Sequence, residues 1–149
     1  MNSQRKSIRM LAGPVLVVAI ASLGLISTSG ATGNVEKADL SGPWAITLIG
    51  DTGCGSTSML ATGSLDTNGQ GSVTLHFHSA GCGNSTSTEK FAVQTLNANG
   101  SGTASLSCNN DSGCGWEFNI QVAPDRALFN LVDITDVGNN RLQGIAIHQ

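Results

Sequence analysis

The feature that most constrains the fold is a hairpin pattern that occurs twice with a period of 31 residues. Residues 65–75 and 96–106 both read Leu, Asp or Asn, any residue, Asn-Gly, any residue, Gly, and then continue as an alternating strand. Asn-Gly favours the positive φ angles of a tight hairpin turn, and the second glycine suits a β-bulge beside it. Two-stranded units that recur about every thirty residues predict a meandering antiparallel sheet.

Alternation of apolar and polar residues extends this pattern to eight predicted strands. In the clearest of them, Trp116, Phe118, Ile120 and Val122 share one face and polar residues occupy the other. The predicted strands lie near 43–50, 57–65, 72–79, 87–96, 102–108, 114–123, 126–133 and 141–148. Eight strands with short loops predict an all-β protein, an up-and-down antiparallel barrel, with a curled β-sandwich as the alternative, and exclude a helical bundle.

The amino-terminal residues have the pattern of an export signal. Arg5, Lys6 and Arg9 precede an apolar stretch over 10–26, and small residues follow as far as Ala31. This order predicts a secretory signal that is cleaved after Ala31, and hence a secreted or periplasmic product. A membrane anchor is the alternative, but the apolar stretch is short and is interrupted by proline and glycine.

The chain is therefore expected to contain a signal peptide (1–31), a flexible segment (32–40) and a β-barrel domain (41–149). Without the signal, 118 of the 149 residues remain, which is enough for one small core. Three of the seven Lys and Arg belong to the signal and all ten acidic residues follow it, so the net charge of the remainder is about −6. Such a surface repels phosphate backbones and anionic headgroups, which disfavours nucleic acids and membranes as partners.

The four cysteines predict two disulfides. They are even in number, follow an export signal and contain no Cys-x-x-Cys, so disulfides are favoured over a metal site or a redox enzyme. If successive strands alternate in direction, Cys54, Cys82, Cys108 and Cys114 all lie at the same end of the barrel. Of the three possible pairings, we expect Cys54 with Cys82, which joins neighbouring loops, and Cys108 with Cys114, which face each other across one hairpin.

The first predicted strand resembles that of the calycins, the group of lipocalins and avidins. It begins Leu40-Ser41-Gly42-Pro43-Trp44, and Gly-x-Trp opens the first strand in those families. The resemblance implies an eight-stranded barrel in which Trp44 closes one end. Small periplasmic barrels that inhibit secreted metalloproteases are similar in the same Leu-x-Gly-x-Trp segment. The Asn-Gly-x-Gly turns also resemble those of uncharacterised secreted bacterial proteins.

Two short motifs resemble the signature of aspartic proteases. Asp51-Thr52-Gly53 and Asp111-Ser112-Gly113 each have the Asp-Thr/Ser-Gly pattern in which two carboxylates share a proton and activate water. The alternative is a pair of turns, in which Asp and Ser or Thr bond to the local backbone. We favour turns, because Gly50 and Asn110 stand where a protease has apolar residues that bury the aspartates.

His76 and His78 have a spacing that suits zinc or copper on a β-strand. Val73, Leu75 and Phe77 occupy the predicted inward face of the same strand, however, so both imidazoles are expected to face solvent. The sequence contains no Gly-x-Ser-x-Gly, no His-Glu-x-x-His and no phosphate-binding loop. We therefore expect no metal, no cofactor and no catalytic residues.

These observations favour a secreted, non-enzymatic binding protein for a small apolar ligand or a protein partner. The expected binding surface is a rim at the cysteine end of the barrel, formed by Asp51, Thr52, Asn84, Asp111 and Ser112. One alternative is a protease inhibitor that inserts residues 32–40 into a protease cleft. A second alternative is an acid hydrolase that uses Asp51 and Asp111.

Overall fold

The computed structural model describes residues 33–108, 115–135 and 140–149. The predicted signal peptide lies outside these ranges. The described chain forms one short 3-10 helix (Lys37–Leu40), which we call η1, and eight strands. The strands are β1 Gly42–Thr52, β2 Gly55–Leu65, β3 Gln70–Ser79, β4 Gly83–Leu96, β5 Ser101–Cys108, β6 Gly115–Val122, β7 Leu128–Asp133 and β8 Arg141–His148.

The sheet is a closed, up-and-down antiparallel barrel. Each strand pairs with its neighbour in sequence, and β1 also pairs with β8 over the register from Trp44 opposite His148 to Asp51 opposite Arg141. The prediction of eight strands and of a barrel is confirmed, and the alternative of a β-sandwich is wrong because the first and last strands are hydrogen-bonded.

Alternation along each strand separates the interior from the surface. Trp44, Phe91, Phe118 and Phe129 are buried almost completely, and smaller aliphatic side chains pack around them. The ring centroids of Trp44 and Phe129 are 4.9 Å apart, and those of Phe91 and Phe129 are 6.1 Å apart. Three aromatic side chains thus form the centre of the core, consistent with the large apolar area that such residues bury.

The repeated turns have the predicted positive φ, but only at glycine. Gly69 and Gly100 have φ of +74° and +81°, and no Asn in the described chain has a positive φ. The second glycine of each repeat does not form a bulge. A Cβ at Gly71 would lie 2.0 Å from the Ser64 carbonyl oxygen, so glycine is needed there because two strands approach closely.

One end of the barrel, which we call the plug pole, contains these two turns and the turn between β6 and β7. Residues 33–40, which we call the plug, lie against it. Leu40 is fully buried, and its carbonyl oxygen accepts a 2.8 Å hydrogen bond from Nε1 of Trp44. Val35 is also buried, and its N–H donates to the carbonyl oxygen of Ala98. Trp44 therefore closes this end of the barrel together with the plug.

Arg126 fastens the plug to the barrel. Its Nε donates to Oδ2 of Asp39 at 3.0 Å, and its Nη2 donates to the carbonyl oxygens of Gly33 and Asn34. Arg126 is the one non-glycine residue of the described chain with a positive φ, +60°. The expected flexible segment 32–40 thus has specific hydrogen bonds from residue 33 onward.

Within the described ranges, no helix has the length and apolar character needed to cross a bilayer.

We expect the barrel to lose stability in acid, in part through Asp39. Hydrogen bonds from the Glu36 backbone and from Arg126 lower the pKa of Asp39 below its usual 3.8. A lowered folded-state pKa contributes stability above pH 3.8 that is lost as the pH falls through the folded-state value. Thermal melts between pH 6 and pH 2 should show this loss, and Asp39→Asn should make the curve shallower. An unchanged curve in Asp39→Asn would exclude this contribution.

Candidate functional site

The end opposite the plug, which we call the disulfide pole, contains the turns that follow β1 and β3. Cys54 and Cys82 are disulfide-bonded, with their Cα atoms 5.4 Å apart. This confirms one of the two predicted pairs. Strand β5 ends at Cys108 at the same pole. Cys114 lies outside the described residues, and so does the predicted Cys108–Cys114 bond.

The described residues of the predicted rim lie at this pole but do not point to a common site. Asp51 is exposed on the outer surface, and its Oδ1 accepts a hydrogen bond from Oγ of Ser56 at 3.1 Å. Thr52 accepts the backbone N–H of Cys54, as expected of a turn residue. Asn84 is exposed and contacts His78. Asp111 and Ser112 lie outside the described residues.

The two alternative functions gain little from these positions. Asp51 faces away from the interior, and its hydrogen bond is to the side chain of Ser56, directly opposite on β2, not to the local backbone as the turn interpretation predicts. Thr52 does bond to the backbone of its own turn. The segment suggested as an inhibitory arm is hydrogen-bonded to the plug pole from Gly33 onward.

His76 and His78 both face solvent, as predicted. They border an outer groove of about 560 Å³ that also includes Leu60 and Thr86. The ring of His76 contacts the Thr86 hydroxyl at 3.1 Å. No three His, Cys, Asp or Glu side chains converge on a metal-sized site within the described ranges.

The interior below the disulfide pole is more polar than the rest of the core. Three polar side chains are buried there: Thr57, Ser79 and Glu89, which are 6%, 3% and 6% exposed. The first two have partners. The Thr57 hydroxyl donates to the Gly55 carbonyl oxygen at 2.8 Å, and Oγ of Ser79 accepts the N–H of Cys82.

Glu89 has a hydrogen-bond partner on only one of its two carboxyl oxygens. Its Oε1 accepts a 2.6 Å hydrogen bond from the hydroxyl of Ser87, the next inward position toward the pole. Its Oε2 is buried and has no hydrogen-bond partner among the described residues. Burying a carboxylate oxygen without a hydrogen-bond partner is costly, and most buried polar atoms of native proteins have a partner. Glu89 is therefore the strongest candidate for a functional residue.

Two aromatic side chains point inward from other strands in the same half of the barrel. Phe77 lies opposite Ser85 in the β3–β4 register, and Trp116 lies opposite Leu106 in the β5–β6 register. Both are half-buried and pack against the core. Leu106 in turn lies opposite Phe91, one inward position below Glu89 on β4. The disulfide-pole end of the interior thus combines a carboxylate, small hydroxyl side chains and partly accessible aromatic rings.

No basic side chain compensates Glu89. Four Lys and Arg follow residue 31, and all four are in the described ranges. Lys37 and Arg126 belong to the plug pole, where Lys37 bonds to the Gln94 carbonyl oxygen. Lys90 and Arg141 are exposed. Among the described residues, Asp133 is the other inward carboxyl group of this half, and the N–H groups of Thr135 and Leu142 donate to both of its oxygens, so Glu89 alone has an oxygen without a donor.

Sequence reasoning did not identify Glu89, although a signal was present. Phe91 lies within the predicted strand 87–96, and alternation places every second residue of β4 on the same face. Counting back from Phe91 puts Glu89 and Ser87 inside the barrel. Both lie within the predicted strand, whereas β4 begins at Gly83, so the inward Ser85 lies outside the prediction.

Comparison with known proteins assigns the chain to no family. No protein-family model matches the sequence, and no curated protein does. Among solved structures, it is similar to one described as a de novo designed fluorescence-activating β-barrel, with 14% sequence identity and a TM-score of 0.49. The match covers 77% of this chain and 99% of that chain. The barrel architecture itself is established by the strand pairing, and no finding assigns the chain to the calycins.

Removing the disulfide should destabilise the barrel. The bond spans 28 residues, and closing such a loop contributes about 2 to 4 kcal/mol to the free energy of unfolding. Urea denaturation of Cys54→Ser/Cys82→Ser should show a loss of this size. A change below about 0.5 kcal/mol would mean that the backbone bonds between the two turns suffice without the covalent link.

Replacing Glu89 by an apolar residue of similar size should stabilise the free protein. Glu89→Met removes a buried carboxyl oxygen that has no partner, and we expect the free energy of unfolding to rise by about 1 to 3 kcal/mol. Glu117→Met, at an exposed position on β6, is the matched control and should change it by less than about 0.5 kcal/mol. If Glu89→Met lowers the free energy of unfolding and Glu117→Met does not, the Glu89 carboxylate is well paired in solution.

Proposed function

We propose that the protein is an exported, non-enzymatic binding protein that holds a small ligand in the half of the barrel next to the disulfide pole. Two features support export: the charged, apolar and small-residue segments that end at Ala31, and the Cys54–Cys82 disulfide, which is typical of oxidising compartments.

The difference between the two ends of the barrel supports the position of the ligand. The plug pole is closed by Leu40 and Trp44, which are almost completely buried. Toward the disulfide pole the inward side chains become small and polar, and Ser87, Phe77 and Trp116 are only half-buried. The described inward side chains of this half, polar groups and aromatic rings, are therefore of the kind that lines small-molecule sites.

The observation that carries this proposal is the buried, unpartnered Oε2 of Glu89. A buried hydrogen-bond acceptor that has no donor lowers the stability of the protein. A bound ligand offsets that cost when it supplies the donor. Binding sites commonly combine such a polar group with aromatic walls, which fix orientation and supply contact area, respectively.

The test uses three fluorescent probes that share one dansyl group: dansylcadaverine, its N-acetyl derivative and dansylglycine. At least one should bind saturably, with blue-shifted emission and energy transfer from tryptophan. Trp116→Ala should weaken that binding by about tenfold, the effect of losing a buried aromatic contact.

Leu60→Ala is the control, because Leu60 is an apolar residue 42% exposed on the outer surface. Its affinity should match that of the unmodified protein. The absence of saturable binding for all three probes would overturn the proposal. Binding that is weakened by Leu60→Ala and not by Trp116→Ala would place the probe on the outer surface, against the proposal.

A further inference from the structure

We infer that the ligand carries an ammonium group, and that this group binds the carboxylate of Glu89. This inference rests on the proposed function and specifies its ligand class, an aliphatic or aromatic amine that is protonated at neutral pH.

The first argument is charge. A carboxylate has room for about four hydrogen bonds, and the Ser87 hydroxyl supplies one, to Oε1. A neutral donor from a ligand satisfies the empty Oε2 but leaves the negative charge unbalanced in the interior. A cationic N–H group satisfies both, and charge-assisted hydrogen bonds are about twice as strong as neutral ones.

The second argument is that the protein supplies no internal cation. Its four Lys and Arg after the export segment are either bonded at the plug pole or exposed on the outside. Among the described residues, Asp133 is the other inward carboxyl group of this half, and its charge makes the electrostatic potential there more negative. An anionic ligand would meet repulsion from both groups, whereas a cation is attracted by both.

The third argument is the chemistry of the two inward aromatic side chains in this half of the barrel. Phe77 and Trp116 present partly accessible aromatic rings on strands to either side of β4 and β5. Ammonium groups and their attached methylenes are attracted to aromatic faces, and a carboxylate combined with aromatic rings is the usual lining for organic cations. A metal ion fits less well, because Glu89 does not belong to any group of three His, Cys, Asp or Glu side chains among the described residues that could bind a metal ion.

The experiment compares dansylcadaverine, whose terminal amine is cationic, with its N-acetyl derivative, in which a neutral acetamide replaces that amine. For the unmodified protein, we expect the cationic probe to bind about tenfold or more tightly than the acetylated one. Glu89→Gln, which keeps the size and removes the charge, should bring the two dissociation constants to within about twofold of each other. Glu117→Gln, the exposed control, should preserve the preference.

Each result has a distinct meaning. Equal affinity for the two probes in the unmodified protein, with the Trp116→Ala effect intact, would overturn the ammonium assignment and leave the proposed function standing. A preference for the amine that persists in folded Glu89→Gln, as judged by circular dichroism, would also overturn it. If Glu89→Gln does not fold, Glu89→Met takes its place with the same expected loss of preference.

Discussion

The pairing of β1 with β8 is the constraint on which the rest of the structure depends. Without it the eight strands would form an open sheet with two edges, and an exposed edge pairs readily with other chains. The chain has few means of protecting such an edge, since only four Lys and Arg follow residue 31. Closure also gives every strand one inner and one outer face, so the side-chain alternation of each strand decides what the interior contains.

The two poles of this barrel are stabilised by different interactions. At the plug pole, residues 33–40 bring Leu40 beneath Trp44, and Arg126 bonds to Asp39 and to two backbone carbonyl groups. Toward the disulfide pole the described inward side chains include the buried polar Thr57, Ser79 and Glu89 and the half-buried Phe77 and Trp116, so apolar packing is less complete. The unfavourable burial of Glu89 therefore lies in the more polar half of the barrel. That distribution is expected when a binding site reduces the stability of its own surroundings.

Local rules predicted most of the fold, because each strand pairs with its neighbour in sequence. Alternation predicts eight strands. The reversal of direction at each turn predicts that Cys54 and Cys82 lie at the same end of the barrel. The rules failed where contacts are between residues distant in sequence. The bond from Arg126 to Asp39 joins residues 87 positions apart, and no pattern near either residue indicates it. The need for glycine at position 71 arises from the Ser64 carbonyl group on another strand. Glu89 was missed for a different reason. The residues before it in the strand are serine and threonine, so no apolar alternation on that side marks its position as inward.

The disulfide and the candidate site are connected through the same strands. The bond joins the turn after β1 to the turn after β3, and two backbone hydrogen bonds, from Ala80 to Ser56 and from Gly81 to Cys54, reinforce it. These turns lead into β2 and β4, the strands that carry Thr57 and Glu89. Because this wall has little apolar packing near the pole, the covalent link replaces packing in fixing its shape. A carboxylate held on a fixed wall keeps its position in the absence of a ligand, and this preorganisation reduces the entropy that binding must overcome.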